Sequence, residues 1–94
     1  MTNEERRDAG LAYIADEGIY EDQKRCRRIL QKLNFMDRSD FEGIKKVIKE
    51  LLETSEDAFI NPPFYCDYGN HIEVGKNFFA NYNCTFLDVA TIKI

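Results

Sequence analysis

Apolar residues recur every six positions through the C-terminal part of this 94-residue chain. Tyr68, Val74, Ala80, Phe86 and Ile92 form one series, and Ile72, Phe78, Cys84 and Ala90 a second, offset by four. Gly75 follows Val74, and Asn81 follows Ala80. A strand alternates with a period of two, which explains a few inward positions but not a six-step repeat with turn residues. The pattern predicts a parallel β-helix of hexapeptides, each rung placing aliphatic side chains inside and turning at Gly or Asn. An ordinary sandwich of hairpins is the competing architecture. Pro62 and Pro63 fit a lead-in segment, because neither can donate to an interior ladder.

The composition changes near Asp57. Residues 1–57 hold 25 of the 30 charges, whereas residues 58–94 hold 8 of the 12 aromatics. The charged half reads as helices and the aromatic half as strands. Thr2-x-x-Glu5 is a capping box, predicting a helix that runs to about Ala15 and fades before Gly18. A second helix is expected from Tyr20 to Leu33, with Cys26, Ile29, Leu30 and Leu33 on one apolar stripe. Opposite it lie Lys24, Arg25, Arg27, Arg28 and Lys32, read as a solvated face. Ser39-x-x-Glu42 is a second capping box, before a third helix carrying Phe41, Ile44, Val47, Ile48, Leu51 and Leu52. The expected organisation is therefore α+β, with helices over 1–57 and coils over 58–94.

Several function classes are disfavoured. The formal charge of −4 speaks against a nucleic-acid or anionic-membrane partner. No apolar run approaches the roughly 20 residues of a membrane span, and the amphipathic N-terminus is no secretory signal. Cys26, Cys66 and Cys84 are odd in number and lack Cys-x-x-Cys spacing. That argues against a disulfide framework and a metal site, and fits a cytoplasmic protein.

Asn61-Pro-Pro-Phe-Tyr-Cys-Asp-Tyr-Gly-Asn70, the run from Ile72 to Asn83, and Phe86-Leu-Asp-Val89 resemble the maltose/galactoside O-acetyltransferase family. Ala9-Gly10 with Tyr13, then a charged helix ending near Leu33-Asn34, resembles that family's helical cap. The resemblance implies a left-handed parallel β-helix, of which this chain carries the cap and the first coils and is truncated beyond them. It also implies a homotrimer with sites between neighbouring β-helices, transferring acetyl from acetyl-CoA to a sugar hydroxyl.

The family's general base is a histidine further downstream than Ile94, so the 94 residues alone are expected to be inactive. His71, the one histidine, is read instead as a solvent-exposed corner residue. Asn81 matches the family asparagine that stabilises the transition state. The other reading of Asn81 is a corner residue chosen for left-handed backbone angles. Asp67 and Phe79 fall where the galactoside enzymes contact the acceptor through a serine and a tyrosine. Asp16 lies near an aspartate of the cap that reaches the sugar, and Asp88 matches an acidic position. The Leu87-Asp88-Val89 form points to a maltose- or glucose-type acceptor over a galactoside. Cys66 and Cys84 are read as core, since no basic neighbour in sequence activates them. The alternative function is a non-catalytic module that self-associates through an uncapped strand edge.

Overall fold

A computed structural model describes residues 1–12 and 14–94. Tyr13, part of the resemblance above, lies outside the described residues. Three helices precede six short strands: α1 (Asn3–Asp8), α2 (Glu17–Asn34), α3 (Phe41–Leu52), β1 (Ala58–Ile60), β2 (Phe64–Cys66), β3 (Ile72–Glu73), β4 (Phe78–Ala80), β5 (Cys84–Phe86) and β6 (Ile92–Lys93).

The helix starts follow the side chains that satisfy their first N–H groups. Thr2 and Glu5 form the reciprocal box, each contact 3.0 Å long. The helix they open is shorter than expected and ends at Asp8, where Gly10 adopts φ +74° and the Gly10 and Leu11 amides close the end. The second helix starts earlier than Tyr20. Asp16 caps it by accepting from the Ile19 amide, and Gly18 lies inside its first turn. Ser39 does not cap the third helix, because its hydroxyl is taken by Asp37 at 2.7 Å. Asp40 does so instead, accepting from the Gly43 amide at 3.0 Å.

The strands pair in parallel, β1 with β4, β2 with β5 and β3 with β6. Two stacked coils with three faces result, and no hairpin sandwich forms. Each coil advances by 20 residues, as in Phe64 opposite Cys84 and Ile72 opposite Ile92. The six-step register therefore holds from Ile72 to Phe86 but gains two residues after β2 and again after β5. Ile92 belongs with Ile72, and Ala90 is exposed. Pro62 and Pro63 form the corner between β1 and β2, joined by a cis peptide bond, rather than leading into the coils.

One core runs through both halves. Leu33, Ile44, Ile48 and Leu51 from the helices meet Ala58, Ile60, Phe64 and Ile72 from the first coil. The free edge of β2 is closed by a side chain: Asn34 accepts from the Phe64 amide and donates to its carbonyl, both at 2.9 Å. Its amide group replaces a neighbouring strand. Replacing Asn34 with Ala leaves both backbone groups without that partner, at a cost of about 1–3 kcal/mol. Urea denaturation of the variant measures it.

Of the basic face on α2, Arg25 is structural rather than solvated. Its guanidinium donates to the carbonyls of Glu50 and Leu51 at the end of α3 and to Tyr68.

Candidate functional site

The outward side of the β2–β5 face carries Tyr65 and Thr85, since alternate residues of a strand point to opposite sides. Above it runs α2, and the two enclose a groove of about 710 Å³ lined by Arg27, Leu30, Phe35, Arg38, Pro63 and Tyr65, with Cys66 in its wall. Sequence reasoning did not single out this groove, although Arg27 and the Pro63-x-Tyr65 run were its visible signals.

Asn81 stands in the corner leading into β5, one coil from Asn61. It is exposed, and its Oδ1 accepts from Asn61 Nδ2 at 3.4 Å. The left-handed corner residues are Asn77 and Asn83, at φ 57° and 61°, and Asn81 is not one of them. Backbone conformation therefore does not account for an asparagine at 81. The contact with Asn61 uses the oxygen and leaves the Asn81 NH₂ group as a donor.

Asp67 follows β2 directly and is half-buried. Burial, then the charge of Asp88, push its carboxyl above the ordinary range, while Arg27 opposes both. The sign is definite: the folded state prefers the protonated form, so the charge costs stability once pH rises through the raised value. Asp67→Asn should therefore raise Tm slightly at pH 7 and leave it unchanged at pH 3, as thermal melts at the two pH values would show.

Asp88 is wholly buried. Oδ1 accepts from the amides of Asp67 and Tyr68 at 2.8 and 3.0 Å, and Oδ2 from Gly69 at 2.8 Å. Both oxygens face backbone of the preceding coil, and this carboxylate holds the two-residue insertion that sequence periodicity missed. Phe79 lies on the adjoining β1–β4 face, exposed and stacked on Phe59 with centroids 6.2 Å apart. Asp16 accepts from Asn3 and Ile19, contacts that lower its carboxyl below the usual range. It sits about 16 Å along the helix from Arg27, at 1.5 Å per residue. The five residues thus spread over two faces, one buried corner and the top of α2.

His71 is not a solvent-exposed corner residue. Its side chain is 16% exposed and stacks on Tyr68 at 4.8 Å. Nδ1 lies 2.8 Å from the Asp88 carbonyl and Nε2 3.5 Å from Asp8, a carboxylate delivered by α1. Tyr68 is also an inner piece of this cluster rather than a rung, covered by the Arg7 guanidinium 4.5 Å above its ring. Burial opposes the charge of Arg7, but Asp8, Asp22 and Tyr68 outweigh it and hold the group still more firmly protonated.

Residues 6–55, more than half the chain, match the family described as the maltose acetyltransferase hexapeptide capping motif. The chain belongs to that family. It is 37% identical over 79 residues to the galactoside O-acetyltransferase of Escherichia coli, covering 83% of this chain and 39% of that protein. A maltose O-acetyltransferase from Clostridium difficile superposes with a TM-score of 0.92 at 32% identity, over 97% of this chain and 50% of that one. A galactoside acetyltransferase in complex with coenzyme A superposes at 0.88 and 35% identity, over 99% of this chain and 48% of that one. This family member thus spans about half the length, or less, of these relatives. Its parallel coils are those of hexapeptide-repeat acetyltransferases. No described helix is long and apolar enough to cross a membrane.

Proposed function

We propose that this chain is the acceptor side of an acetyl-CoA-dependent sugar O-acetyltransferase of the cytoplasm, preferring maltose or glucose over galactosides. Residues 1–57 form a helical cap on a left-handed β-helix that starts at residue 58, in a homotrimer. The observation that carries the reading is Asn81: an exposed amide, oriented by Asn61, where the backbone calls for no asparagine.

The reaction needs a base to take the sugar hydroxyl proton, an attack of that oxygen on the thioester carbonyl, and a donor for the oxyanion that forms. The amide NH₂ of Asn81 is such a donor, uncharged and fixed in direction before the charge develops. Asp67 is an acceptor for sugar hydroxyl donors, and the backbone that carries it is pinned by Asp88. Phe79 offers an apolar ring to a sugar face. Asp16 reaches the acceptor from the cap. That these groups sit on different faces fits a site completed by a neighbouring copy. The ring of His71 is engaged inside the corner cluster, so it is not assigned as the base. Acetyl-CoA is the donor, its thioester supplying the acyl group.

Two measurements test this. With acetyl-CoA and maltose, the 94-residue chain should produce no acetylated sugar, and measurable turnover would place the base within it. Titration with maltose at millimolar concentration should shift the amide resonances of Tyr65, Asp67 and Asn81. Shifts confined to other residues, or none, would remove the acceptor assignment.

A further inference from the structure

Cys26 lies on the apolar stripe of the second helix and Cys66 in the coils, and the fold brings them together. Cys26 is buried in α2, Cys66 is half-buried on β2, and their sulfurs lie 3.5 Å apart across the helix–strand contact. The chain distance between them is 40 residues. Cys84 sits on the next coil opposite Phe64, not opposite Cys66. Cys66 is the more exposed of the pair and belongs to the wall of the groove between α2 and β2.

We propose that Cys26 and Cys66 form a reversible disulfide when the chain meets hydrogen peroxide, tying the helical wall of the groove to its strand wall. The inference rests on the thiol geometry and stands apart from the acetyl-transfer reading.

The chemistry balances within the pair and one peroxide. The contact between the two sulfurs holds the Cys26 thiol below its ordinary range despite burial, and the same contact pushes Cys66 up. Cys26 is therefore the more readily ionised of the two, and its thiolate is the one that reacts. The Cys26 thiolate attacks a peroxide oxygen; the O–O bond breaks, giving a sulfenic acid and hydroxide. The Cys66 sulfur then attacks the Cys26 sulfur, forming the S–S bond and expelling a second hydroxide. The two thiol protons convert both hydroxides to water, and two electrons have passed from the sulfurs to the peroxide. Closing the bond takes the sulfurs from 3.5 Å to about 2.0 Å, a small approach of α2 and β2.

The test uses the native chain treated with hydrogen peroxide, then denatured, alkylated and mapped as non-reduced peptides. The expected result is loss of two of the three free thiols, one intrachain Cys26–Cys66 link, and full recovery with dithiothreitol. Three thiols still open to alkylation would overturn the proposal. So would a link through Cys84 or to a second copy, or a Cys66 sulfinic acid beside an unmodified Cys26.

Discussion

Replacing Asp88 with Ala should cost about 4–6 kcal/mol of stability. The carboxylate is wholly buried and takes three backbone N–H groups in succession, from Asp67, Tyr68 and Gly69. Hydrogen bonds to a charged group contribute about 1.5–3 kcal/mol each, and each orphaned buried donor costs about 1–3 kcal/mol. Water entering the cavity satisfies part of the loss, which keeps the total below the full sum. Asp88→Asn should cost less, because one oxygen remains, but its NH₂ group must face an N–H donor. The order of denaturation midpoints, wild type above Asn above Ala, is the expected outcome. Equal midpoints for wild type and Ala would show that the corner does not depend on this carboxylate.

Gly69→Ala should cost about 2–5 kcal/mol at the same corner. Gly69 has φ +83°, where an L side chain is strained by about 1–2 kcal/mol. A Cβ there would also meet the Leu51 carbonyl oxygen at 2.6 Å and the Leu51 side chain at 2.7 Å. The oxygen is backbone at the end of α3, already held by Arg25, so it cannot step aside cheaply. Relieving such overpacking shifts backbone at a further cost of about 1–3 kcal/mol. Because Gly69 also donates to Asp88, the double variant should lose less than the two single losses added together. A urea titration of all four proteins would show this coupling, and strict additivity would contradict it.

Both predictions concern a place that periodicity could not reveal. Six-step recurrence is legible because strand alternation and corner spacing repeat locally, so Val74, Ala80 and Phe86 could be placed from sequence. The two extra residues after β2 are held by a carboxylate one coil later, and such a contact leaves no local pattern. The same reason hid the Arg7–Tyr68–His71 cluster and the Cys26–Cys66 pair, which join segments 40 or more residues apart. Ser39 failed as a cap for a nearer cause: Asp37 takes its hydroxyl, and Asp40 sits one residue closer to the helix. Candidate site residues were legible through the resemblance. Their surroundings were not, because burial, as at Asp88, and orientation, as at Asn81, depend on the neighbouring coil.

The most direct measurement of the functional account is a chimera in which residues 1–94 replace the matching half of the Clostridium difficile maltose O-acetyltransferase, whose fold they share. The chimera should transfer acetyl from acetyl-CoA to maltose, and Asn81→Ala within it should lower kcat by about 100-fold, as loss of an oxyanion donor does. A folded chimera without activity, or an active one indifferent to Asn81→Ala, would contradict the account.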